Sequence, residues 1–216
     1  YGAIRRGDDD KASKGRRMNA KRNPWLWVPS IYIAEGIPYM IVMTVSVVMY
    51  KNLGLSNTDI ALYTGWLYLP WVIKPLWSPF VDLFRTKRFW IVGLQLAIGG
   101  SFACVALTLP ASDFVRYTLA MFWIMAFSSA THDIAADGFY MLGLTTPEQA
   151  AFVGVRTVFY RVATIASKGG LVILAGTLQK CGYPAACAWS ITFVVVGAFF
   201  LALCLYHLLV LPYPEA

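Results

Sequence analysis

The apolar positions of this chain gather into six long blocks joined by short polar connections, each block long enough to cross a bilayer as a helix. The blocks run from Pro24 to Tyr50, Asn57 to Phe80, Phe89 to Leu109, Phe114 to Leu142, Gln149 to Leu178 and Pro184 to Val210. A spanning helix needs roughly 20 mainly apolar residues, so the longer blocks imply tilt or kinks. The pattern predicts an all-α integral membrane protein, a six-span helical bundle with no soluble domain between its spans. Residues 1–23 read as a basic cytoplasmic tail, 24–211 as the bundle, and 212–216 as the start of a cytoplasmic connection.

Helix breakers sit inside the blocks. Gly36 and Pro38 interrupt the first, Pro70, Pro75 and Pro79 the second, and Gly169 with Gly170 the fifth. Proline removes a backbone donor and glycine permits close approach, so these positions either bend the helix, exposing carbonyls to a cavity, or serve helix packing.

Composition narrows the class. With 58% hydrophobic and 13% charged residues in 216, the chain has too much apolar surface for a soluble globule. The first block is too long for a secretory signal and lacks a small-residue cleavage site, so it reads as the first anchor. Tyr1 is not a natural start and Met18 is a candidate one; the stop at Ala216, directly after the sixth block, leads us to expect truncation. Six spans with both ends on one side fit either a complete small protein or one half of a transporter built from two six-span halves, each made of two three-span repeats.

Charge sets the expected orientation. Eight Lys or Arg lie in the tail, Arg85, Lys87 and Arg88 follow the second block, and Arg156 follows the fourth, whereas the opposite side shows Lys51, Arg116 and Lys180. Basic residues favour cytoplasmic loops, so both ends are expected in the cytoplasm. The net charge of +7 is then mostly a topology signal, and nucleic acid is not an expected partner. Cys104 and Cys204 lie inside blocks as small apolar residues, while Cys181 and Cys187 flank Gly182-Tyr183-Pro184, where a disulfide is chemically allowed but buried thiols are the commoner outcome.

Chemistry concentrates in the few ionisable residues at membrane depth. An Asp, Lys or Arg at a span centre costs about 2.5–3.5 kcal/mol on insertion scales, so each needs a partner or water. Those residues are Glu35, Lys74, His132, Asp133, Asp137, Arg161, Lys168 and His207. Glu35 falls near mid-bilayer beside Gly36 and Pro38, as a proton or substrate-amine site would. Asp133 and Asp137 are one turn apart on one helical face and repel each other unless a cation intervenes; Arg156 and Arg161 open the next block within reach. With Asp82 and Arg85 they form a candidate cytoplasmic gate whose pairs break and reform, or a plain ion-pair latch. Lys168 either snorkels outward or docks an anionic substrate. His132 and His207 lack the clustered ligands of a metal site. Neither a nucleotide-binding loop nor an H-E-x-x-H, G-x-S-x-G or Ser-His-Asp arrangement occurs, so no cofactor is expected and an enzyme is disfavoured.

Three segments in register resemble a known family. Lys74-Pro75-Leu76-Trp77-Ser78-Pro79 with Asp82, then Ala130-Thr131-His132-Asp133-Ile134-Ala135-Ala136-Asp137, then Arg156 with Tyr160-Arg161, resemble the second-, fourth- and fifth-span signatures of the AmpG-type muropeptide permeases and their acetyl-coenzyme A transporter relatives, a branch of the major facilitator superfamily. Ser78 stands where the wider superfamily has glycine, as in this branch. The resemblance covers about Gly36 to Leu178, and neither Glu35 nor Lys168 is among the family hallmarks it carries over. It implies that the chain is the amino-terminal half of a proton-coupled permease of the bacterial inner membrane. Its substrate would be muropeptide-like, with acetyl-coenzyme A, peptides or siderophores as alternatives within the family. From other classes, a membrane-embedded enzyme or a helical scaffold remains as the alternative. The lipid bilayer, a small-molecule substrate and a second six-span half are the expected partners.

Overall fold

A computed structural model of the chain describes residues 22–213; the basic tail before Arg22 and the last three residues of the connection after Leu211 lie outside the described residues. Every regular element among the described residues is helical.

The first helix, α1 (Pro24–Asn52), begins where Asn23 accepts a hydrogen bond from the Trp25 amide and runs on through a wide turn at Ile41–Val45. Pro38 lies one turn before that widening, and its missing N–H is a sufficient local cause. The second apolar block is not one helix. It breaks into Asn57–Thr64, Leu69–Ile73 and Ser78–Leu83, with a tight 3₁₀ turn at Lys74–Leu76. Pro70, Pro75 and Pro79 each stand near the start of a piece, where proline is tolerated. We call this broken segment α2.

The remaining helices are α3 (Lys87–Thr108), α4 (Phe114–Gly143), α5 (Thr146–Lys180) and α6 (Ala185–Val210). Thr86 caps α3 by accepting from the Phe89 amide at 3.2 Å, and Glu148 caps α5 by accepting from the Thr145 amide at 2.9 Å. A second wide turn, Ala166–Gly170, interrupts α5 at its paired glycines. Four of these helices, α1, α3, α5 and α6, are long and apolar enough to cross a membrane. The 30-residue α4 carries Arg116, His132, Asp133 and Asp137, and α2 is broken, so neither adds to that number by length and composition.

Small residues set the closest helix crossings. A Cβ on Gly36 of α1 would meet the Tyr160 carbonyl of α5 at 2.9 Å, and one on Gly197 of α6 would meet Phe102 of α3 at 3.3 Å. The buried apolar side chains form two groups. One, with Ile41, Met49, Phe102, Phe122, Trp189, Phe193 and Phe200, fills one end; the other, with Trp27, Ile31, Tyr32, Ile91, Phe139 and Tyr140, fills the other. Between them runs a buried polar band that includes Gln95, Ser129, His132 and Asp133. Only 17% of the most apolar window of α5 is buried, against 56% for α1, so α5 lies at the bundle's edge.

At the end where the chain ties off, Arg22 and Arg88 donate to the last free carbonyls of α6, at Leu209 and Leu208, and Arg88 lies 3.9 Å from the Tyr213 ring centroid. Cations at a helix C-terminus satisfy its unpaired carbonyls and its dipole. All four cysteines are free, Cys181 and Cys187 included.

Candidate substrate and coupling site

Glu35 stands one turn beyond Tyr32 on α1, beside the Gly36 crossing that draws α5 close. Its carboxylate lies within electrostatic reach of Asp133, Asp137, Arg156 and Lys74, so four helices deliver charge to one place. Asp133, buried on α4, lies within reach of Lys74 and Asp137 and next to the Trp71 indole. Three acids face two cations, which leaves the group one negative charge in excess when all are ionised; one bound proton neutralises it.

The group has two halves. Asp137 is partnered through one oxygen: Arg156 Nη2 lies 3.2 Å from its Oδ1, and the Tyr32 hydroxyl donates to the same oxygen at 3.0 Å. The Arg156 guanidinium also lies 4.8 Å from the Tyr32 ring centroid and 5.3 Å from that of Tyr140, so two rings and a carboxylate hold it. In the other half, Glu35 Oε2 and Asp133 Oδ1 are buried with no hydrogen-bond partner of good geometry, and the Trp71 indole faces Asp133. Buried polar atoms in native proteins are nearly always paired, so two open carboxylate oxygens in one neighbourhood mark a place that receives something polar. Tyr39 packs edge-on to Trp71 at 5.2 Å, and Tyr160 stands within reach of Asp133 and Glu35.

Lys74 sits where α2 tightens into its 3₁₀ turn, and it lines an open groove of about 530 Å³ together with Ser78, Asp82 and Ile134. The prolines on either side deny this stretch a regular helix and leave the lysine on the groove wall.

The candidate gate is partnered differently from the sequence expectation. Asp82 pairs with Lys87, whose ammonium also donates to the Val81 carbonyl at 3.1 Å. Arg85, at φ 65°, instead lies 5.6 Å from the Phe89 ring centroid. Lys87 reaches Asp82 across Gly138 of α4, where a Cβ would meet its Cε at 2.8 Å. Of the two arginines expected to reach the acids, Arg156 does so, while Arg161 points away and is exposed. Lys168 is likewise exposed, on the wide turn of α5.

The sequence does not single out Tyr32, Tyr140 or Lys87 as site residues. A signal existed for two of them: Tyr32 precedes Glu35 by three positions and Tyr140 follows Asp137 by three, which places each on the face of its acid. Nothing in the sequence distinguished Lys87 from its basic neighbours. Among the described residues no cluster of His, Cys, Asp and Glu is arranged to hold a metal ion.

Comparison with known proteins places this geometry in a family. Residues 35–211 match the profile of the BT1 family. An uncharacterised protein of Schizosaccharomyces pombe is 26% identical over 196 residues, covering 76% of this chain and 37% of that protein. The anhydromuropeptide permease of Escherichia coli is 27% identical over 128 residues, 57% of this chain and 25% of the permease. The probable folate-biopterin transporter 6 of Arabidopsis thaliana is 29% identical over 133 residues, 54% of this chain and 26% of the transporter. The aligned part thus spans between 25% and 37% of these relatives. No solved structure matches the chain.

Proposed function

The chain belongs to the BT1 family, and on that premise we propose that it forms the amino-terminal six-span part of a secondary active transporter, two three-span repeats that move a small solute by alternating access with protons as the driving ion. The observation that carries this reading is the half-satisfied charge group. Glu35 and Asp133 each present a buried, unpartnered carboxylate oxygen beside Lys74, in a set of three acids and two cations. A purely structural ion-pair cluster would spend every buried oxygen on a partner, as the Asp137 half does. Glu35 and Asp133 take and release the proton, Lys74 and Arg156 offer cations to an anionic substrate, and the Asp82 to Lys87 pair closes the end near the α2–α3 turn. Arg85, Arg161 and Lys168, all exposed, are free to meet the second six-span half expected to complete the transporter.

Two substrate classes have support. The muropeptide-like class rests on the E. coli permease and on the three motifs in register; a pterin or folate class rests on the plant relative. Muropeptides and folates offer carboxylates to Lys74 and Arg156, whereas a simple pterin carries none, and the muropeptide-like class is the reading we favour. Two relatives are carriers by name, which favours transport over a membrane-embedded enzyme or a scaffold. The relatives come from a yeast, a bacterium and a plant, so placement in a bacterial inner membrane rests on the muropeptide reading alone, and cytoplasmic termini rest on the distribution of basic residues.

The test is uptake into proteoliposomes under an imposed proton gradient, with labelled anhydromuropeptide and labelled folate run side by side. Gradient-dependent uptake of the first supports the reading. Uptake that an uncoupler leaves unchanged removes proton coupling, and uptake of folate alone reassigns the substrate.

A further inference from the structure

Beside the charge group, and using none of its atoms, a hydrogen-bond chain crosses four helices. His132 Nε2 on α4 lies 3.1 Å from Gln95 Nε2 on α3, Gln95 Oε1 lies 2.8 Å from His207 Nδ1 on α6, and His207 Nε2 lies 2.9 Å from Ser30 Oγ on α1. The Ser30 hydroxyl donates to the Trp27 carbonyl at 3.1 Å. His132, Gln95 and His207 are fully buried. The chain lies in the polar band between the two apolar groups and ends one residue from Asp133.

Donor and acceptor counting gives it a direction. Because Ser30 spends its hydrogen on Trp27, its oxygen accepts from His207, which must carry hydrogen on Nε2. A neutral His207 then presents a lone pair at Nδ1, which needs the amide NH₂ of Gln95; a half-turn of that amide, whose two ends are nearly alike in shape, supplies it. The Gln95 oxygen then faces His132 and requires hydrogen on His132 Nε2. Every contact is now a donor meeting an acceptor. The remainder is a lone pair at His132 Nδ1, which has no partner. The reverse direction leaves a buried N–H at His132 Nδ1 unpaired, the rarer kind of orphan, while the Trp27 carbonyl keeps the Ile31 amide at 3.0 Å in either case.

We propose that Ser30, His207, Gln95 and His132 form one polarised chain that fixes the rotation of the α4 turn carrying Asp133, so that Gln95 and His207 are positioning residues for the charge group. The amide in the middle passes polarity from one histidine to the other and interrupts proton conduction, which makes the chain a brace for the acids and not a second proton route. His132 and Asp133 point about 100° apart on the helix, so anchoring the first between α3 and α6 aims the second at α1 and α2. This role rests on the reading of Glu35 and Asp133 as the coupling acids.

The sequence contains two histidines, so ¹⁵N-histidine labelling of the chain in lipid nanodiscs reports on these two alone. Both are expected as neutral Nε2–H tautomers, and Gln95→Leu is expected to disperse the His132 signal. In the same samples dicyclohexylcarbodiimide, an apolar reagent for carboxyl groups inside bilayers, is expected to label Asp133, and Gln95→Leu to change that rate about tenfold, the scale of coupling between groups in one network. Ser30→Ala, a gentler change at the half-buried end, is expected to move the His207 resonances and the labelling rate in the same sense, and keeps the test available should Gln95→Leu fail to fold. An Nδ1–H tautomer at His132, or an unchanged Asp133 labelling rate in both variants, overturns the positioning role while leaving the acidic site intact. An Asp133 that resists the reagent in the parent chain defeats the acidic-site reading, and the positioning role with it.

Discussion

Arg156 of α5 and Asp137 of α4 are joined at 3.2 Å, and the Tyr32 hydroxyl of α1 completes the contact at 3.0 Å on the same oxygen. Three helices therefore meet at one carboxylate. Asp137→Asn keeps the shape and weakens both contacts. Because Arg156 and Asp137 are each about a third exposed, the loss of stability is expected to stay within about 1 kcal/mol. Uptake is expected to be abolished with the protein still folded in the membrane, and transport assays beside a thermal unfolding curve separate the two effects.

Lys74→Ala removes the one cation that lies within electrostatic reach of both Glu35 and Asp133 among those named for each. The folded protein is expected to reach the membrane at parental levels, since the lysine lines an open groove. Uptake is expected to be lost. Parental uptake in this variant and in Asp137→Asn would reduce both residues to packing.

Gly36→Leu probes the α1–α5 crossing. Even a Cβ meets the Tyr160 carbonyl at 2.9 Å, and backbone yields less readily than a side chain tip. Overpacking of this kind costs about 1–3 kcal/mol, so a lowered unfolding midpoint is expected, together with a displaced Glu35 and reduced uptake. Gly93→Leu is the control, because its Cβ meets nothing within 4 Å.

Gly138→Ala tests the Lys87 strap. The new methyl meets Lys87 Cε at 2.8 Å, and this neighbour is a flexible stem that swings aside. Stability is expected to fall by only about 1 kcal/mol, while the Asp82 to Lys87 pair opens. Faster acetylation of Lys87, which is almost buried in the parent, reads out the change.

Maleimide is expected to modify Cys181 without prior reduction, since its thiol is free and exposed, and the half-buried Cys187 more slowly. A mass two units low, restored by a reductant, would reveal a bond between them.

Much of the site was legible one residue at a time. Glu35, Lys74, Asp133 and Asp137 stand out because charge at membrane depth is costly and therefore rare. What the sequence could not rank was their partners. Lys87 and Arg85 look equivalent on the page, yet Gly138 opens a path for one and the αL turn directs the other onto Phe89. Arg156 and Arg161 both follow the acids, but five positions on a helix turn through about 140°, and α1 covers only one of the two directions. His132, Gln95 and His207 read as unrelated polar residues in three blocks, because contacts between residues far apart in sequence leave no periodic trace.

The sequence by itself determined the helical class, the membrane as solvent, and the short list of residues able to carry chemistry, because hydrophobic period and the cost of burying charge are local properties. The tertiary structure alone decided which acids are satisfied and which are left open. It spent Arg156 and Tyr32 on Asp137, sent Arg161 and Lys168 outward, and left Glu35 and Asp133 each with one unpartnered oxygen. That choice is set by helix rotation and crossing depth, at Gly36 above all, and those are fixed only when the helices pack.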